Sequence, residues 1–320
     1  MTSRDLMSFF FQNTLLVNLM HSVRCFFIFE CIEQPLVMSQ RARALLYILS
    51  LMACLQAFGQ RDRFGGGGIP IGFSNELGIV AGPVAFYGDY GQRGNFATNI
   101  GNTGWGFAVA HYVNFAYRAD CQCYNPDTYF NDRFKVRTEL TIHKTNFQHY
   151  GQWVGPSATS FTADQLRAMK GSSTVFDVGV QLEYYIWSIR DFMAQDQPWA
   201  PYFAAGLHWV GFDPYAYSDF GNLNTPITTP DKYYYSFQQA GGSIWSIVTS
   251  LGTRYKINKS IDFLMDWRWQ YYFSNWVDGL NPQLEYNTQA LGLENGVPVP
   301  ENKANDWIFW INFGGVFYLN

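Results

Sequence analysis

The sequence predicts an all-β protein: an eight-stranded antiparallel transmembrane outer-membrane β-barrel with long extracellular loops and a packed polar interior. Three observations predict it. Charged residues make up only 14% of the 320-residue chain, while aromatic residues reach 19%. Mean hydropathy is nevertheless -0.13, too polar for a bundle of membrane helices. Finally, segments along the chain alternate polar and apolar side chains with a period of two, as strands with one wet and one apolar face do.

The N-terminal region precedes the strands. Residues 1–37 read as neither a domain nor a targeting segment and are expected to be a non-native or disordered extension, with Met38 the working start. Residues 38–59 have the three parts of a secretory signal peptide: Arg41 and Arg43 in a basic leader, an apolar core over 44–55, and small Ala57 and Gly59 before Gln60. A second reading takes Leu51 to Cys54 as a lipoprotein box with Cys54 as first residue. Neither 15–29 nor 44–55 reaches the ~20 residues of a membrane-spanning helix. Residues 60–74 form a flexible lead-in whose four consecutive glycines are costly to order. Residues 75–320 are then one barrel domain.

Four strands are clearest. Phe134, Val136, Thr138, Leu140 and Ile142 alternate with Lys135, Arg137, Glu139, Thr141 and His143. Residues 176–186, 263–272 and 307–317 alternate in the same way, and weaker segments at 75–85, 104–112, 201–211 and 243–257 complete eight. The even number, and lengths near the ~9–11 residues of a tilted strand crossing lipid, suit a bacterial barrel. Long connections precede Thr103, follow Gln148 and Asp213, and span 274–304, whereas Asn258-Lys259-Ser260 is a tight turn. Long loops on one rim and short turns on the other place both termini in the periplasm of a cell with an outer membrane.

Eight strands leave an interior just wide enough for side chains. Lys135, Arg137, Glu139, Glu183, Arg254, Asp266 and Arg268 are therefore expected to point inward as one paired network. A soluble sandwich is the competing fold, but its outer face would be rich in Lys, Thr and Ser. Here the polar face mixes opposite charges with Tyr, Gly and Gln.

Chemistry is sparse. No dinucleotide, Walker, HExxH, GxSxG or CxxC pattern is present, and the five histidines are scattered. No cofactor and no metal site are expected, and the protein is expected not to be an enzyme. The formal net charge of -4 argues against nucleic acid as a partner. Cys121 and Cys123 lie in the connection 116–133, the one turn that breaks the short-turn rule. They either close a small ring, stay free or intermolecular thiols, or share a metal with a partner. Around them Tyr117, Arg118, Tyr124, Tyr129, Phe130 and Arg133 combine rings with charge, a composition suited to protein contact.

The run 76–91 (ELGIVAGPVAFYGDYG), Thr98-Asn99 with Gly106-Phe107, and the stretches YRADCQCY (117–124) and TYFNDRFKVR (128–137) resemble a family of Bacteroidetes/Flavobacteriia outer-membrane barrels of unassigned role. The early strand, LEY at 182–184, PYFAAG at 201–206 and YKINK at 255–259 are more distantly similar to the PorG-type barrel of the type IX secretion system. Barrels of that type have a short turn where this chain carries 116–133. The resemblance implies no catalytic residues. It implies a non-enzymatic anchor or scaffold for an envelope complex, secretion- or gliding-related, that meets outer-membrane lipid and periplasmic or outer-membrane proteins. A small-solute channel or passive envelope-stabilising barrel is the second reading. An outer-membrane hydrolase built on His208 and loop 213–225 is the third.

Overall fold

The computed structural model describes residues 74–91, 95–115, 129–282 and 305–319. Eight strands run β1 Ser74–Tyr87, β2 Thr103–Asn114, β3 Phe134–Gln148, β4 Met169–Tyr185, β5 Trp199–Ser218, β6 Gly242–Lys256, β7 Ile261–Tyr272 and β8 Trp307–Leu319. Each pairs antiparallel with the next, and β8 pairs with β1 to close the barrel. The segments 1–37, 38–59 and nearly all of the lead-in lie outside the described residues, as do Tyr117, Arg118, Cys121, Cys123 and Tyr124.

Closure is what the surroundings demand. Large apolar residues such as Val180, Leu182, Phe203, Leu207, Trp245 and Ile247 stand exposed on the outer wall. A continuous apolar belt of this kind is stable in lipid, where only a sheet without edges satisfies its backbone. Ring pairs mark both margins of the belt. Tyr87 stacks on Trp307 at 3.9 Å on the loop side, and Trp199 meets Tyr255 at 4.8 Å on the side of the chain termini. The barrel thus crosses a membrane with its strands.

The strands are longer than the alternation predicts. β3 continues past His143 to Gln148, β4 begins at Met169 rather than Phe176, and β5 runs to Ser218 where the sequence predicts a loop from Asp213. The reason is an inversion of polarity. Above the belt Lys144, Asn146 and Gln148 face outward and Phe147 inward, and Lys170 faces out while Met169 faces in. The period of two persists, but water now lies outside and a dry core inside. Pro214 falls where β5 has passed the end of its ladder with β6 at Phe212, a position that tolerates a missing N–H.

One interruption of the wall is repaired locally, and one close approach demands a glycine. At Gly82–Pro83 the β1–β8 ladder skips two residues, and the Trp310 indole N–H donates to the Gly82 carbonyl at 3.2 Å. Gly179 has no room for a side chain, since an added Cβ would lie 2.0 Å from the His208 ring. Among the described residues four short α-helices sit in the connections: α1 Phe96–Asn99, α2 Tyr129–Arg133, α3 Phe161–Ala168 and α4 Ile189–Ala194. Ser160 caps α3 and Ser188 caps α4 through side-chain oxygens that accept N-terminal backbone N–H groups. In the β6–β7 turn, Asn258 Oδ1 accepts from Ser260 N and Ile261 N at 2.8 and 2.9 Å.

Placing a charge on the outer wall should separate belt from lip. Val178→Arg, mid-belt on β4, is expected to cost about 2–4 kcal/mol of folding stability, read by urea unfolding in lipid vesicles. Asn146→Arg, outward on β3 above the belt, is expected to stay within about 0.5 kcal/mol.

Candidate functional site

The inward rows of the strands bring their charged residues into one ladder. Nearest the termini, Lys256 Nζ lies 2.9 Å from Asp262 and donates to the Tyr318 hydroxyl at 2.6 Å, which in turn donates to Asp262. The Lys256 ammonium also sits 4.5 Å from the ring centre of Phe192 on α4. One level up, Glu76 accepts from Lys135 at 2.7 Å and from Arg254. Arg254 reaches Glu183 at 3.2 Å, and its guanidinium lies 4.2 Å over the Tyr112 ring.

In the middle, Arg137 pairs with Glu139, lies 3.4 Å from Asp266 and 3.7 Å from Glu183. Arg268 pairs with the same Glu139 and lies 3.7 Å from Asp266. Asp266 also accepts from the Tyr202 hydroxyl and the Asn312 amide. Lys135, Arg137, Glu139, Glu183, Arg254, Asp266 and Arg268 thus form a continuous chain of ion pairs, joined through Glu76. Sequence alternation did not single out Glu76 because the inward row of β1 beyond it (Gly78, Val80, Gly82, Val84) is as apolar as its outward row. Lys256 and Asp262 were missed as well; their parity with Arg254 and Asp266 was the available signal.

Above this ladder His208 Nδ1 lies 2.6 Å from Asp177, and His143 shares a hydrogen bond with the Tyr272 hydroxyl. His208 is fully buried on the inward face of β5, not at the rim where a hydrolase would need it. Arg268 lies 4.8 Å over the Trp310 ring, the boundary with an apolar layer. There Phe86 packs on Phe147 at 4.8 Å and Tyr90 on Phe147 at 5.3 Å, with Val175, Val210 and Leu280 around them. Arg137, Arg254, Arg268, Tyr202 and Trp310 have no more than 2% of their surface exposed. These side chains leave essentially no surface for water to touch, so the lumen is filled at their level. At the end near the termini, Tyr185, Ile189, Phe192 and Tyr202 form a second apolar cluster that closes the floor.

The loop end carries two further features. Asp89, Asp278 and Asp306 are buried with carboxylate oxygens within 4.8 Å of one another, the one grouping of metal-ligand type among the described residues. Backbone N–H groups of Asp89 and Leu280 donate to Asp278, and those of Val277 and Asp278 donate to Asp306, so the carboxylates hold the last loop to the first. Beside them is a cavity of about 350 Å³ whose lining includes Tyr90, His149, Tyr150, Trp153 and Tyr233. The His149 ring packs between Tyr90 at 5.2 Å and Tyr233 at 5.5 Å, and this burial pushes its pKa down to about 4.

Breaking the ladder and titrating the loop should give separate outcomes. Glu139→Gln removes the carboxylate that Arg137 and Arg268 share and should cost about 3–5 kcal/mol, read as a lower urea midpoint at unchanged membrane insertion. Replacing Glu139 and Arg268 together by Leu and Met should recover a large part of that loss. As for pH, His149 starts from 6.5 and is held near 4 in the fold. Above pH 6.5 it contributes no pH dependence. Between there and about pH 4 the opened loop binds a proton that the closed loop refuses, so loop stability falls as pH falls. Hydrogen exchange of the amides near Tyr150, corrected for intrinsic rates, should quicken from pH 7.5 to 5, and His149→Phe should remove that acceleration.

No protein-family model matches the chain, nor does any curated protein sequence. Solved structures do match. Neisserial surface protein A is 11% identical over 77% of this chain and 97% of its own, with a TM-score of 0.35. A major outer membrane protein from Thermus thermophilus is 11% identical over 77% and 99%, with a TM-score of 0.38. The outer membrane protein OprG from Pseudomonas aeruginosa is 14% identical over 77% and 96%, with a TM-score of 0.34. Likeness at this level says nothing of what the chain does, and the barrel rests on its own eight-stranded closure.

Proposed function

We propose that the protein is a non-conducting, non-catalytic outer-membrane barrel that anchors or scaffolds an envelope complex, with both termini in the periplasm. The observation that carries this is the filled lumen: with the central charges paired and both ends packed, activity has to reside on the surfaces. The small-solute reading would require a water path through the Arg137–Glu139–Arg268 level, where these side chains are at most 1% exposed. Secretion or gliding is the kind of complex that the more distant resemblance, carried by the early strand with 182–184, 201–206 and 255–259, implies.

The proposed contact surface is the connection 116–133. Its described part, α2, is braced rather than loose. Asp132 Oδ1 accepts from the Ser188 hydroxyl and from Arg190 N, and Arg133 donates to the Ile186 carbonyl, tying α2 to the start of α4. Tyr129 and Phe130 remain exposed. A second reading is favoured by their neighbours. Phe130 stacks on Phe134 at 4.8 Å, and the Tyr129 hydroxyl bonds that of Tyr184 at 2.7 Å. Phe134 and Tyr184 belong to the outer wall, so these two rings extend the aromatic margin and would sit at the lipid headgroups. Tyr117, Arg118, Tyr124 and Arg133 would then carry the protein contact.

The test replaces residues 116–128 by a short Asn-Gly turn, leaving α2 in place. The barrel is expected to insert and to lose its partner in crosslinking within the native membrane. Crosslinked species at normal yield would remove 116–128 as the contact surface. Planar bilayers containing the unmodified chain should show no stepwise conductance; regular steps would overturn the non-conducting reading.

A further inference from the structure

The cavity at the loop end is built from every long connection. Tyr90 comes from the first, Tyr150 and Trp153 from the second, Tyr233 from the third and Pro282 from the fourth. Four aromatic rings thus line one space of about 350 Å³. The face of each ring carries negative potential and attracts a cation, more strongly as water is excluded. A carboxylate, Asp89, also contributes to the lining. The protein already places one ammonium on this wall: Lys232 Nζ lies 5.1 Å from the centre of the Tyr233 ring.

A hard metal ion would need six or more oxygen ligands, which rings do not supply. The lining also holds apolar surface from Val154, Leu166 and Pro230, beside the hydroxyls of Thr98 and Thr162 and the His149 ring. We infer that this cavity binds an organic ammonium, a cationic nitrogen carried on small apolar groups, with the charge against the rings of Tyr150, Trp153 and Tyr233 and directed toward Asp89.

The probe is choline, set against 3,3-dimethylbutan-1-ol, its uncharged isostere of nearly the same shape. Both are titrated by calorimetry and by saturation-transfer NMR into the full chain purified in a maltoside detergent, which has no choline headgroup to compete. Choline is expected to bind saturably, and the isostere about tenfold more weakly or worse. Trp153→Leu and Tyr233→Leu should each weaken choline several-fold. Trp153 is largely solvent-exposed, so its replacement leaves the barrel intact, checked by gel mobility before and after heating. Lys232→Met should strengthen choline binding, because the resident ammonium competes for the Tyr233 face. Equal binding of choline and isostere would overturn the inference, leaving an apolar hollow. Absence of saturable choline binding would overturn it too, as would affinity indifferent to both ring substitutions. Binding seen only in Lys232→Met would assign the cavity to Lys232 itself and would equally overturn a ligand role.

Discussion

A β-sheet in lipid has to close on itself, and closure at eight strands leaves a lumen too narrow for a water column. Every polar group that alternation turns inward must therefore find its partner across the barrel rather than in solvent. The ladder from Lys256 to Arg268 is the response to that constraint. Several of its pairs join strands that are not neighbours in the wall: Glu76 of β1 holds Lys135 of β3 and Arg254 of β6, and Arg137 of β3 reaches Asp266 of β7. Side chains thus brace across the interior what the backbone ladder joins only around the rim. Such a network is stable while complete and costly when any member is lost, since the remaining charge has neither water nor a partner.

The same wall meets two solvents along its length, and its pattern changes sign between them. Within the belt, apolar side chains face lipid and charged ones face each other. Above it, on β3, β4 and β5, polar side chains face water while Phe147, Val175 and Phe212 join a dry core under the loops. Trp310 lies where the two regimes meet, its indole N–H satisfied by Gly82 and its face covered by Arg268. The projecting strands carry the loop connections on a firm base, which is why a cavity can be walled by residues from all four.

With the middle filled, the two ends are what the molecule offers to other molecules. The end near the termini is floored by Phe192 of α4, and Asp132 fastens that floor to the connection between β2 and β3. A contact made on the outside of this connection would be held by the same element that seals the barrel. The loop end presents rings and opposed charges around a cavity, a different chemistry suited to a different class of partner.

Much of this was legible in the sequence, and the limits of legibility have a physical cause. Alternation over 134–143, 176–186, 263–272 and 307–317 determined the fold class, the strand number with its weaker partners, and the inward side of Lys135, Arg137, Glu139, Glu183, Asp266 and Arg268, because lipid enforces one-sided polarity along the whole strand. It could not show that β4 and β5 continue into water, where the polarity rule inverts and the outward Lys170 and Asp213 look like loop. Nor could it show Glu76, whose strand is apolar on both faces. Which charge meets which was decided by tertiary structure alone. Closure sets the stagger of strands far apart in sequence, and that stagger places Glu76 beside both Lys135 and Arg254. The cavity at the loop end was likewise invisible, since its rings share no spacing and become neighbours only when four loops fold over one mouth.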